Sequence, residues 1–228
     1  MRLDKFICKS TQLSKAEARA EISVGAIRRN GVVLNNADTQ IHHDNIVTLH
    51  DDILTLRPFN YVLIHKPKNT ICSNIDEKYP SLLNNIQRHF DDELHIAGRL
   101  DADTTGLVLA TDDGRWSFDI TRPEKQCKKV YHAQLSRPIA SSAISEFSDG
   151  ILLQGEKNVT LPAKLEILSP QNVRLTITEG KYHQVKRMFA AVGNRVTALH
   201  RERVGDVTLN IEVGKWRQLT SQEVLSFR

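Results

Sequence analysis

The chain has no apolar run near the roughly 20 residues needed to cross a bilayer, and its opening, MRLDKFICKS, has no signal-peptide core. A membrane protein or an exported one is therefore not expected. Cysteine is sparse: Cys8, Cys72 and Cys127 are odd in number and far apart, so neither a disulfide framework nor a CxxC metal site is spelled. This fits a reducing, cytoplasmic setting. The histidines show no ligand spacing such as HExxH, and no metal is expected. Excess charge is small as well, +4 with a pI near 9.0.

What charge there is lies in patches. Residues 1–34 hold Arg2, Lys5, Lys9, Lys15, Arg19, Arg28 and Arg29 against only Asp4, Glu17 and Glu21, and the remainder of the chain balances. Within that remainder, 180–203 carries six basic residues and one acid. Such clustering is the electrostatic footprint of a phosphate-rich partner, although a solvated surface gives the same pattern. At 228 residues and 40% hydrophobic content, the chain has room for a small domain and a large one.

Read in order, Leu3, Phe6 and Ile7 form the apolar stripe of a short helix. Ser14-Lys-Ala-Glu17 is a capping box that starts a second helix running to about Val24 and stopped by Gly25. Asn30-Gly31 between Ala26–Arg29 and Val32–Leu34 signals a hairpin, since both central positions of a type I′ turn require positive φ. A strand at Ile46–Leu49 follows, and Pro58 in a mixed stretch marks a boundary, giving domains at 1–56 and 57–228.

In the second domain, Tyr61–Ile64 reads as a strand that exits through His65, Lys66 and Pro67. The centre is GRLDADTTGLVLAT, Gly98 to Thr111. A carboxylate, Asp101, stands after Arg99 and ahead of a Thr-Gly turn, and the turn opens into a buried strand at Leu107–Ala110. A loop anchored on a rigid strand is where a catalytic group can be held. Asp112-Asp113-Gly114 starts a helix through Trp116, Phe118 and Ile120, halted by Pro123. Cys127–Leu135 is a strand with Tyr131, Ala133, Leu135 and Lys129 facing the core, followed by a helix at Ser141–Asp149 and a strand at Val159–Leu168 interrupted by Pro162. Val173, Leu175 and Ile177 alternate with polar residues as a strand does. Val185, Met188, Phe189 and Val192 then make an amphipathic helix closed by Gly193-Asn194. Trp216–Leu219 and a second capping box, Thr220 to Glu223, end the chain.

Three readings fit the central stretch. Asp101, Asp103 and Thr105 spell the Asp-x-Asp-x-Thr of haloacid-dehalogenase-type phosphatases, although His95, Gly98 and Arg99 interrupt the apolar approach expected there. Turn Asp and Thr also serve as backbone caps without chemistry, the role expected here for Asp103. The third fit is wider. Gly98, Arg99, Leu100, Asp101, Thr104 and Gly106, the strand into Lys66-Pro67, Tyr131, and EGKYHQVKRMF at 179–189 resemble, in order, the motifs of the pseudouridine synthases. The run Leu199 to Gly205 is most similar to their small-subunit ribosomal branch. Residues 1–54 resemble the small RNA-binding module named after ribosomal protein S-four, through Arg2-Leu3-Asp4-Lys5, the Ser14–Arg19 cap, Gly25 and Asn30-Gly31-Val32-Val33.

The resemblance implies an α+β protein: an S-four-like RNA-binding module, then a mixed, mainly antiparallel sheet with flanking helices. It implies isomerisation of a uridine in 16S ribosomal RNA, free or in a partly assembled small subunit, by a monomer needing no cofactor. The same architecture acting on 23S RNA, or a non-catalytic RNA-binding assembly protein, are the alternatives. By the resemblance Asp101 is the nucleophile, attacking ribose or base, Lys186 its cationic partner and Tyr131 the ring that stacks on uracil. Arg99, Lys66 and Arg187, with Lys5, Lys15, Arg19, Arg28 and Arg29 in the first module, would meet RNA.

Overall fold

A computed structural model describes residues 1–227. The chain divides into two compact units, Met1–Phe59 and Asn60–Arg228. The first unit reaches three residues beyond position 56 because Arg57 donates to the carbonyls of Thr11 and Cys8, and Lys9 Nζ donates to that of Pro58 at 2.9 Å.

In the first unit, α1 (Leu3–Ser10) and α2 (Lys15–Ser23) pack on a four-stranded antiparallel sheet ordered β2-β1-β3-β4, with β1 at Ile27–Arg29, β2 at Val32–Val33, β3 at Val47–Leu49 and β4 at Asp52–Ile53. The α2 capping box is formed as its sequence requires. Ser14 Oγ accepts from Glu17 N at 3.3 Å while Glu17 Oε2 accepts from Ser14 N at 2.8 Å. Asn30 and Gly31 take φ of 50° and 83°, the pair of positive angles a tight hairpin needs. Leu3, Ile7, Ala18, Ile22, Ile27 and Val47 close the core.

The second unit is built on one mixed sheet. Its strands are β5 (Tyr61–Lys66), β6 (His95–Ala97), β7 (Thr105–Thr111), β8 (Lys129–Leu135), β9 (Lys164–Ser169), β10 (Asn172–Ile177), β11 (Val196–Val204), β12 (Val207–Thr208) and β13 (Trp216–Gln218). The order is β13-β5-β7-β11-β8-β10-β9, with β6 on β7 and β12 on β11. Every pairing is antiparallel except β7 with β11. This is the mainly antiparallel α+β architecture expected. The helices are α3 (Gly114–Thr121), α4 (Ser142–Asp149), α5 (Gln184–Ala191) and α6 (Ser221–Leu225).

Strands β5 and β7 are apolar without alternation because both their faces are covered. Val62, Ile64, Val108 and Ala110 join the larger core with Val185, Met188 and Phe189 of α5, while Leu63, Leu107 and Leu109 join a second core with Trp116 and Ile120 of α3. Asp113 caps α3 by accepting from the amides of Arg115 and Trp116.

The strands depart from the expectation in two ways. The strand anticipated at Val159–Leu168 begins only at Lys164. Pro162 offers no amide, and its neighbours are bonded elsewhere: Thr160 N to Ile151 O, Leu161 N to Glu179 Oε1 and Ala163 N to Phe147 O. Strands β6 and β11, not anticipated, flank the central stretch on β7. No helix among the described residues is long and apolar enough to cross a membrane.

Candidate active site

The loop from Gly98 to Thr104 enters β7, and backbone groups on both sides of Asp101 have partners. Gly98 takes φ of 90°, and its carbonyl accepts from Arg201 Nη2 at 2.8 Å. Leu100 N donates to Cys72 Sγ, and Thr104 N donates back to Asp101 O at 3.1 Å, which closes a turn around Asp101. The carbonyl of Ala102 accepts from Asn69 N at 2.8 Å and from Lys66 Nζ at 3.2 Å, and Thr104 O accepts from the same ammonium at 2.9 Å. These bonds hold a turn from which the side chains of Arg99 and Asp103 project, and between them the Asp101 carboxylate.

That carboxylate meets α5. Lys186 Nζ donates to Asp101 Oδ2 at 2.7 Å and to Asp103 Oδ1 at 2.6 Å. The side chains of Asp101 and Lys186 are 30% and 24% exposed, reachable by a ligand yet partly shielded from water. Burial pulls the Lys186 ammonium down, but hydrogen bonds and charge from Asp101 and Asp103 outweigh it and leave its pKa above the ordinary lysine value. Burial likewise pushes the Asp103 carboxyl up, and its bond to Lys186 more than reverses that, holding it below the usual range. Asp103 is therefore a partner of Lys186 as well as a turn residue, a correction to the purely capping role. The other oxygen, Asp101 Oδ1, lies 3.3 Å from His183 Nε2.

Tyr131 and Arg201 occupy the sheet behind the loop. Cross-strand register sets Gly106, Arg201 and Tyr131 side by side on β7, β11 and β8. Tyr131 is buried, with its hydroxyl 3.4 Å from Arg201 Nη1. Arg201 is 1% exposed, and its guanidinium also donates to Leu107 O at 2.7 Å. One buried cation thus joins the segment before Asp101, the strand after it and Tyr131. Gly106, at φ of 116°, admits this approach because a side chain there would strike the Arg201 backbone.

Lys66 does not meet solvent. It is fully buried, with its ammonium on the carbonyls of Pro67, Ala102 and Thr104, so a direct RNA contact is corrected to support of the loop. Burial pulls its pKa down, against the opposing charge of Cys72, Asp103 and Asp101. Arg187 turns to its own unit, donating to Glu156 Oε1, Tyr182 O and Gln154 O. Arg99 is exposed beside Asp101. In the first unit, Lys5 and Lys15 are exposed, Arg19 reaches Asp4, Arg28 approaches Asp51 and the Gly31 carbonyl, and Arg29 reaches the Gln40 carbonyl.

Sequence reasoning missed Arg201, His183 and the pairing of Asp103 with Lys186. The Asp-x-Asp spacing and the His within YHQVKR were the available signals for two of them. Arg201 lies in the Leu199–Gly205 run that resembles the family, but its acceptors are mostly backbone carbonyls, which gave its role no signal.

A profile of RNA pseudouridylate synthases matches residues 60–191, more than half of the chain and the whole of the site from Lys66 to Lys186. The chain belongs to the RNA pseudouridylate synthase family. An S4 domain profile matches residues 1–47, which cover both helices and the hairpin of the first unit. Among curated synthases, the ribosomal small subunit pseudouridine synthase A of Haemophilus influenzae is 45% identical over 227 residues, 98% of each chain. Its namesake from Escherichia coli K12 is 44% identical over 229 residues, 99% of each chain. A crystal structure of a pseudouridylate synthase superposes with a TM-score of 0.74 at 44% identity over the full length of both chains. An aspartate on a fixed turn, paired with a lysine and backed by a tyrosine, is this synthase's candidate catalytic centre.

Proposed function

We propose that this synthase converts one uridine of small-subunit ribosomal RNA to pseudouridine, with Asp101 as nucleophile. The observation that carries the reading is the 2.7 Å contact between Lys186 Nζ and Asp101 Oδ2 at the rim of a loop whose backbone is bonded on both sides of Asp101. Isomerisation breaks the bond between base nitrogen and ribose, turns the base and rejoins it through carbon 5; the proton on that carbon is released and the freed nitrogen takes one up. Atoms and electrons balance with no cofactor. Attack on ribose and attack on base both begin from a carboxylate oxygen, and the Lys186 ammonium 2.7 Å from Asp101 Oδ2 supplies its counter-charge. Tyr131, buried behind the loop, offers a ring face to the uracil, and Arg99 is exposed to receive a phosphate. The uridine has to leave its stack first, which costs a few kcal/mol. Binding energy from the first unit, through exposed Lys5 and Lys15, helps to supply that without reading bases.

A magnesium phosphatase is disfavoured by the same ion pair. The Lys186 ammonium bridges Asp101 and Asp103, so the two carboxylates an Asp-x-Asp phosphatase gives to its metal are already paired with a cation of the chain. A binding protein without catalysis would tolerate Asp101→Asn. The deciding experiment uses 16S ribosomal RNA, free and in assembling small subunits, carrying tritium at carbon 5 of uridine. The parent is expected to release tritium without added metal and the Asp101→Asn variant to release none. Equal release from both, or none from either, overturns the assignment.

A further inference from the structure

The turn between β10 and α5 displays two aromatic rings at the mouth of the site. Tyr182 is 76% exposed, yet the turn that carries it is held by Gln184, Arg187 and Glu156. Its carbonyl accepts from Arg187 Nη1 at 3.0 Å, Lys181 N donates to Gln184 Oε1 at 2.8 Å, and Lys181 and Arg187 each pair with Glu156 at 3.2 Å. His183 takes the left-handed conformation, φ 47° and ψ 34°, which is uncommon for a residue with a side chain and recurs where geometry serves function. The rings stack at 3.8 Å between centroids and 22° between planes. His183 Nε2 touches Asp101 Oδ1 at 3.3 Å. The pair therefore begins at the carboxylate and ends with one face of Tyr182 in solvent.

We propose that the Tyr182–His183 stack is a platform for the unpaired base adjoining the uridine that enters the site. The proposal rests on the reading of Asp101 as the uridine-isomerising nucleophile. Pulling a uridine from its stack strips its neighbour of a partner on one side. A ring held rigidly at the rim restores that partner outside the cavity, while Tyr131, only 7% exposed, serves the interior. Stacking on a ring face accepts any base, so the platform adds affinity and holds the strand open without fixing the neighbour's identity. His183 keeps the tyrosine ring parallel to the approach and ties its position to Asp101.

The test compares the parent with Tyr182→Ala, Tyr182→Phe and Tyr182→Trp, using 16S RNA for turnover and affinity. It adds 16S fragments carrying 2-aminopurine immediately 5′ or 3′ of the mapped uridine, bound to each protein in the Asp101→Asn background. Tyr182→Ala is expected to weaken RNA binding and kcat/KM by roughly 5- to 150-fold, with most of the loss in KM. It should also abolish a fluorescence quench that the parent gives at one of the two positions. Phe and Trp, which keep a ring face, should retain the quench. Tyr182→Ala binding and turning over as the parent does, while the parent releases tritium, overturns the platform alone. So does a Phe variant as impaired as Ala, because it would make the hydroxyl the working group. If the parent releases no tritium, the uridine-isomerising reading fails instead, and weaker binding of 16S RNA by Tyr182→Ala would still register the platform as an RNA contact.

Discussion

Gly106→Ala tests whether the loop is positioned by the close approach of two parallel strands. Gly106 on β7 pairs with Arg201 on β11, and a Cβ at position 106 would lie 2.3 Å from Arg201 O and 2.5 Å from its N. Both are backbone atoms, so no rotamer change relieves the clash, and β11 would have to move by about 1 Å to restore an ordinary contact near 3.4 Å. Overpacking of this kind costs about 1–3 kcal/mol. The φ of 116°, outside the range that side chains favour, adds about 1–3 kcal/mol more. A total of about 4 kcal/mol is a large part of a domain stability of about 5–15 kcal/mol. In thermal unfolding it corresponds to a fall of roughly 8–16 °C for a unit of this size. Activity should fall as well, since moving β11 carries the Arg201 guanidinium away from Gly98 and Leu107. Thermal melts and tritium release from labelled 16S RNA measure both quantities. A Gly106→Ala protein that melts within 2–3 °C of the parent and keeps its turnover would refute the account of the loop.

Replacing Lys186 by Gln removes a charge-assisted bond worth about 1.5–3 kcal/mol, so kcat should drop roughly 10- to 150-fold. Lys186→Arg should restore part of it through charge, and a Gln variant within threefold of the parent would count against the pairing. Lys66→Met should leave RNA affinity within about twofold while kcat falls about tenfold or more, as misplacement of a reacting group by about 1 Å costs. Lost affinity with kcat intact would return Lys66 to an RNA-facing role. Glu223 accepts both arms of Arg217 and the amide of Thr220, and its carboxyl is held at about 2, chiefly by the Arg217 hydrogen bond. Its folded value lies below the unfolded one, so its contribution is present above pH ~4.5 and disappears as pH falls toward ~2. Glu223→Gln should cost about 1 kcal/mol at pH 7, with the difference vanishing in acid. An undiminished difference at pH 2 would contradict the pairing.

Much of this fold is written locally. The capping boxes at Ser14–Glu17 and Thr220–Glu223 and the Asn30-Gly31 hairpin depend on residues within a few positions of one another, and all three formed as read. The alternation on β10 and the stripe of α5 are legible for the same reason: one face is apolar and the period is regular. Strand β11 is different. Its His200-Arg201-Glu202-Arg203 run has no alternation of apolar and polar residues, yet it lies between β7 and β8. Arg201 is satisfied there by carbonyls from about a hundred residues earlier in the chain. Side chains that bond to backbone carbonyls leave no trace at the acceptor position, because every residue has a carbonyl. Lys66 escaped correct reading in the same way: a lysine at a strand exit is ordinarily solvated, and only the folded loop supplies its acceptors.

Lys66 and Arg201 together explain why two cations are buried beside a loop when apolar side chains would cost less. Desolvating an ammonium or a guanidinium costs several kcal/mol. What offsets it is the set of oxygens each one gathers. Arg201 takes the carbonyls of Gly98, Arg99 and Leu107, and Lys66 takes those of Ala102 and Thr104 as well as Pro67. Asp101 lies between these two sets, so the backbone is gripped on both sides of it while the side chain alone stays free to meet Lys186. Leucine or methionine in place of either cation would leave the same carbonyls to water. Water inside the loop would both loosen it and stand next to the proposed nucleophile, where it weakens the Lys186 contact by raising the local dielectric. Buried positive charge therefore orders the turn on both sides of Asp101, through donors whose partners are backbone carbonyls and the Tyr131 hydroxyl and not the Asp101 carboxylate.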